Sequence, residues 1–207
     1  MLTWVVGSRD PLFRRRAGSE YLFHGRPTAR SRRIPTGVID RARVKVDMLH
    51  AAVALEDLRA PPGDRLEALQ GGWQGWRSIR VNDRWRIVFR WDGSDAHDVR
   101  LMDHHGRERS PTVLPERRIP THPGMVLRDE FLVPLGLTQV HLARHVGVPV
   151  QRINELVNGK RGVTPDTAWL LAQALGTTAE FWANLQIAHD LARHRPDRPI
   201  ERLVPAA

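Results

Sequence analysis

Four arginines, Arg80, Arg84, Arg86 and Arg90, stand two or four residues apart around an Asn82-Asp83 turn, and the trio Asp103-His104-His105 follows thirteen residues after the last of them. Phosphate chemistry is what such a set could perform. Guanidinium groups neutralise a phosphodiester, whereas Asp and His move protons near neutral pH. Cleaving an RNA strand needs a base for the 2′-hydroxyl, an acid for the leaving 5′-oxygen and cations for the phosphorane. The ordinary alternative is that the arginines splay into water and that a His pair at a strand end is a surface feature. Cations about 5 Å apart across a strand pair repel, so an anion would relieve them. No metal or other cofactor is expected: there is no cysteine among 207 residues and no His-Glu-x-x-His. Moreover, adjacent histidines on a strand point to opposite faces.

The elements that position these residues follow from hydrophobic period. Ile79 and Val81 alternate with Arg80, and Trp85, Ile87, Phe89 and Trp91 alternate with Arg84, Arg86, Val88 and Arg90, which predicts a hairpin with a dry face and a basic face. A third strand is expected over Ala96 to Asp103, and Thr3 to Val6 is the only N-terminal candidate for a further one. Upstream, Val38, Ile39, Ala42, Val46, Leu49, Ala52 and Val53 mark the apolar stripe of one or two helices between Pro35 and Leu58, with Arg41, Arg43 and Lys45 largely off it.

The stretch Arg107 to Pro123 holds four prolines and no apolar period, so it reads as a connector between two units. The expected division is 1–110, a linker at 111–123, and 124–207. After it everything reads helical. Two short helices, Thr138 to Val146 and Pro149 to Asn158, joined through Gly147, form a helix-turn-helix arrangement. Gln151, Arg152, Asn154 and Glu155 stand at the start of the second, where Gln or Asn could pair with adenine and Arg with guanine. Val150 could touch a thymine methyl, and Gln139, Lys160 and Arg161 could hold phosphates. Thr164-Pro165-Asp166 opens another helix, and Thr177 to Glu180 has capping-box spacing before a last helix running to about Arg193. Phe181, Trp182, Leu185 and Ile187 are expected in the core or at a dimer contact.

Charge agrees with a polyanionic partner. Lys and Arg number 32 against 23 Asp and Glu, a net +9, and only Lys45 and Lys160 are lysines. Residues 1–113 carry +7 of that charge and the remainder +2. A high-GC genome would also enrich Arg. No apolar run reaches the roughly 20 residues of a membrane-spanning helix. Leu2 to Val6 precedes Arg14, Arg15 and Arg16, the reverse of a secretory signal. A soluble cytoplasmic protein with no membrane partner is therefore expected.

The segments Arg65 to Gly71, Ser78 to Ile87 ("SIRVNDRWRI"), Asp98-Val99 and Asp103-His104-His105 resemble the HigB toxins of the RelE superfamily. That resemblance covers roughly Glu20 to His105. It implies an α+β fold, helices on a twisted antiparallel sheet, and a metal-free endoribonuclease acting on mRNA at the ribosome. Arg80 and Arg86 would hold the scissile phosphate, and Asp103 and His105 would be the acid/base groups. Glu67 stands where some members carry His and would take a proton-transfer role or none, and His104 replaces the usual tyrosine. The stretch from His122 to Leu191 is similar to HigA antitoxins of the Xre/Cro type, which implies an all-α helix-turn-helix domain, operator DNA binding, autorepression and a homodimer formed through this domain. Pro149-Val150 departs from the usual start of the second helix. Together the resemblances read as a toxin fused to its antitoxin. The rival reading is a DNA-binding regulator with a decayed nuclease-like domain.

Overall fold

The computed structural model describes residues 5–6, 34–103, 118–196 and 203, so His104, His105 and positions 111–117 of the expected linker lie outside the described residues. In chain order the elements are β1 (Val5–Val6), α1 (Thr36–Ala51), α2 (Leu55–Arg59), β2 (Glu67–Ala68), a 3-10 turn (Gly71–Trp73), β3 (Trp76–Arg80), β4 (Trp85–Trp91) and β5 (Ala96–Asp103). Helices follow. Pro123–Val126 (α3) passes through a π-helical stretch, Leu127–Leu132, into α4 (Val133–Leu135), then α5 (Gln139–His145), α6 (Val150–Val157), α7 (Pro165–Leu175) and α8 (Ala179–Arg193).

The sheet is antiparallel in the order β1-β5-β4-β3-β2. Its β3–β4 hairpin is set by Asn82, whose Oδ1 accepts from the backbone N–H of Arg84 and Trp85. β4 and β5 pair Val88 with Arg100 but Arg90 with His97, so β5 carries one extra residue there, at the bulge where Asp98 has φ +54°. The dry side of the sheet, Ile79, Val81, Trp85, Ile87, Phe89, Val99 and Leu101, packs with Met48, Leu49 and Leu58 of α1 and α2. The expected alternation therefore holds, and β2 is an addition that its polar sequence does not announce.

Threonines start three helices. Thr138, Thr164 and Thr178 accept from the backbone N–H three residues on, capping α5, α7 and α8. The last cap is Thr178 to Phe181, one residue beyond the expected Thr177–Glu180 box; Thr177 instead accepts from the Trp182 indole N–H at 2.7 Å. Phe181, Trp182 and Leu185 are buried as expected, while Ile187 is exposed.

The two units share one continuous core, and α8 packs on α1. The seam corrects the reading of α1. Lys45, expected off the apolar stripe, is buried, and so is Asp47. Lys45 Nζ ion-pairs with Asp64 and with Glu130 of the π-helical stretch, and Asp47 accepts from Arg118, from Thr121 N–H and from the Thr121 hydroxyl. Asp57, also buried, accepts from the Val53 and Ala54 N–H groups and from Thr178, and Asn184 donates to Ala51 C=O. One helix thus buries two faces, an apolar one on the sheet and a charged one on the helical unit. Outward from the dry side, the layers run sheet, α1 with α2, then α8.

Candidate nucleic-acid interfaces

Arg80 and Arg86 are direct cross-strand partners at the end of the β3–β4 hairpin, so their side chains leave the same face of the pleat, opposite the dry one. Arg86 is held by three segments. Its Nε donates to the buried Ser78 Oγ at 3.0 Å, one terminal nitrogen donates to Arg65 C=O at 3.3 Å, and that nitrogen pairs with Glu67 at 2.7 Å. Arg80 pairs with Asp83 across the turn. Both carboxylates are well exposed, the Asp83 side chain at 91% and that of Glu67 at 53%. Such pairs contribute little and exchange readily for a stronger anion.

The same face carries Arg90 and Arg100, whose guanidinium groups lie over the Trp76 ring at 5.1 and 4.9 Å from its centroid, and Arg90 also pairs with Asp98 at 3.8 Å. Asp103 is placed otherwise. It is buried, sits opposite Trp85 in the ladder and pairs with Arg84 at 2.9 Å. The register therefore sets Asp103 on the Trp85 face, opposite the face of the Arg80–Arg86 pair, and Arg84, expected on the basic face, lies in the turn just before β4 and is drawn to Asp103 by that ion pair. Of the residues expected at this site, the structure gathers Arg80, Arg86 and Glu67, while His105 lies outside the described residues. Among the described residues no group of three or more His, Asp or Glu is gathered that could hold a metal ion. Ser78, Arg65 and Arg100 were not anticipated; Arg100 was legible in principle, since it alternates with Val99 and Leu101.

On the helical unit, Gly147 (φ +70°) makes the turn between α5 and α6. Gln151 and Asn154 are exposed on α6, and Val150 is 42% exposed. Asn154 donates to Gln139 Oε1 at 3.1 Å, tying α6 to the start of α5. Glu155 accepts from Gln151 and from Arg161, both at 2.9 Å, and these bonds, Arg161 first, hold its carboxyl below the usual range. Lys160 is exposed beside them. Arg152 turns the other way: its guanidinium donates to Thr167 Oγ1 at 2.7 Å and to Thr164 at 3.4 Å, against the start of α7. The exposed row is thus Gln151, Asn154 and Lys160, with half-buried Gln139 beside Asn154 and Arg161 engaged by Glu155.

Comparison with known proteins identifies both units. Residues 21–105 match the family described as the RelE-like toxin of type II toxin-antitoxin system HigB, and residues 128–182 match a helix-turn-helix family. The chain is 43% identical over 75 residues to toxin HigB-1 of Vibrio cholerae, covering 36% of this chain and 79% of that one. It is 46% identical over 76 residues to antitoxin HigA-1 of the same organism, covering 36% of this chain and 70% of that one. The chain belongs to the HigB toxin and HigA antitoxin families. It carries a HigB-like toxin unit followed by a HigA-like helix-turn-helix unit in one polypeptide. A Pseudomonas aeruginosa antitoxin HigA solved with the higBA promoter is 36% identical, spanning 41% of this chain and 99% of that one at a TM-score of 0.39. Among the described residues, no helix of the HigB-like or HigA-like unit is long and apolar enough to cross a membrane.

Proposed function

We propose that the HigB-like unit, residues 1–110, is a metal-free, cofactor-independent endoribonuclease that cuts mRNA on the ribosome, and that the HigA-like unit, residues 124–207 after a linker at 111–123, restrains it and represses its own promoter. The observation that carries this reading is the Arg80–Arg86 pair, cross-strand neighbours on the outer face of the hairpin with Glu67 against Arg86. A phosphodiester entering there displaces two weakly held carboxylates and receives two guanidinium groups, which stabilise the negative charge that grows on the phosphorane. Glu67, released from Arg86, is then a free carboxylate next to the phosphate and can accept the 2′-hydroxyl proton. The resemblance adds Asp103 and His105 as acid/base groups at the strand exit.

Operator DNA is read by the start of α5, the exposed face of α6 and the turn after it. Gln151 and Asn154 face base edges, while Gln139, Lys160 and Arg161 meet phosphates; Val150 offers a methyl contact, and Arg152 braces α6 on α7. The protein works in the cytoplasm as a homodimer of the HigA-like unit, with Trp169, Ile187 and Leu191, each more than half exposed, as dimer contacts. Docking through α1 and α2 leaves restraint to act through the helices behind the sheet, because α8 packs on α1 and α1 on the dry side.

A second reading has one observation in its favour. Arg80, Arg84 and Arg86 all pair with carboxylates of their own chain, as they would in a DNA-binding regulator whose nuclease-like domain is inactive. Primer extension of messages from cells expressing residues 1–110, beside the full chain, separates the two. New message ends and growth arrest that vanish with Arg86→Ala support the nuclease. A folded but harmless fragment supports the regulator.

A further inference from the structure

We propose that Trp73, Trp76, Arg90 and Arg100 form a subsite that stacks an unpaired base of single-stranded RNA beside the Arg80–Arg86 phosphate position. The proposal rests on reading the outer sheet face as the RNA surface. It begins from a tryptophan on the wrong side of a sheet. Trp76 lies outside the hydrophobic core cluster, two strand repeats from Arg80 on the same outer face, yet it is only 8% exposed. Against its ring lie two guanidinium groups, at 5.1 and 4.9 Å, and the edge of Trp73, with ring centroids 5.0 Å apart and planes at 82°.

A guanidinium stacked on an indole keeps its charge while presenting a planar π surface, and a nucleobase makes the same kind of contact. A base can therefore join or replace an arginine in this stack, and the arginine so displaced meets the adjacent phosphate. Access is built into the neighbouring turn. Trp73 is partly exposed and flanked by Gly71, Gly72 and Gly75, where an added Cβ would meet nothing within 4 Å. Trp76 stands four positions before Arg80 in β3, about 13 Å along the strand, which a short oligonucleotide spans.

The test uses the full-length protein, a short single-stranded oligoadenylate RNA and a base-free ribose-phosphate oligomer of equal length. The oligoadenylate is expected to quench tryptophan fluorescence and to bind about tenfold more tightly than the base-free oligomer. Trp73→Ala, which removes no charge, should erase that preference without changing affinity for the base-free oligomer, and Trp73→Phe should restore part of it. If Trp73→Ala lowers the melting temperature, Trp73→Leu, which keeps apolar bulk and charge but has no ring to stack, provides the same comparison. Equal binding of the two oligomers by the native protein overturns the proposal, as does full preference in Trp73→Ala, or quenching by duplex DNA alone. Failure of the nuclease reading looks different: base preference without Arg86-dependent cleavage keeps the subsite and removes the enzyme, whereas cleavage without base preference does the reverse.

Discussion

Replacing Lys45 with Met should destabilise the whole chain, and more so in base than in acid. Lys45 is 4% exposed and is the cation between Asp64, fully buried, and Glu130, 9% exposed. Met fills similar volume but leaves both carboxylates without a cation, and removing one partner of a buried ion pair costs roughly 3–5 kcal/mol. For a chain of this size that lowers the melting temperature by on the order of 10 °C. The pH dependence follows from Asp64, whose carboxyl is pushed up by burial, against the pull of Lys45, to about 7. A carboxyl raised in the folded state contributes stability fully below its ordinary value near 3.8, and that contribution is lost as pH rises through about 7. In the native protein, acid therefore leaves one carboxylate per Lys45 and base leaves two. In Lys45→Met the penalty should be largest at pH 8 and smaller at pH 5, and Asp64→Asn should be neutral or stabilising at pH 8. Urea unfolding followed by circular dichroism and tryptophan fluorescence at both pH values reads these differences. Native-like stability of Lys45→Met at pH 8, or an equal loss at pH 5 and pH 8, would refute the charge accounting.

Other perturbations test other contacts. Asp57→Ala removes the acceptor for four groups, among them the Thr178 N–H and hydroxyl across the seam, and should cost about 2 kcal/mol or more, read as a shifted urea midpoint. Gly124→Ala would place a Cβ 1.7 Å from Leu156 C=O, so α3 and α6 must separate; a loss of about 1–3 kcal/mol is expected, and an unchanged midpoint would mean the helices yield freely. Asn154→Ala should weaken operator binding by about 1–3 kcal/mol while sparing nonspecific DNA. Arg152→Ala, in contrast, should lower thermal stability, and a loss of sequence preference without any stability change would put its side chain on the bases after all.

The hairpin and β5 were legible because a sheet with one dry face imprints period two on its sequence, and the three Thr-capped helices because a cap is a contact between residues three apart. That Arg80 and Arg86 share a face could be read the same way, but not that they pair directly: the chain turns over Asn82, Asp83 and Arg84, with Val81 and Trp85 bonded across, whereas a two-residue Asn82-Asp83 turn would set Arg80 opposite Trp85. What held Arg86 could not be read. Ser78, Arg65 C=O and Glu67 come from positions 8, 21 and 19 residues away, and only β2 pairing with β3 brings Glu67 opposite Ser78. Arg152 misleads for a related reason, because its sequence position on α6 marks it as a reader of bases while Thr164 and Thr167, 12 and 15 residues later, draw it inward.

Local alternation, caps and turn residues thus determined most of the elements, though not β2, together with the two units and the basic character of the outer sheet face, since each depends on neighbours within a strand or a helical turn. Tertiary structure alone decided that Lys45, Asp47 and Asp57 are buried. Their partners Glu130, Arg118 and Thr178 lie 85, 71 and 121 residues away, and a charged side chain stays buried only where such a distant counter-group or donor arrives to replace its water.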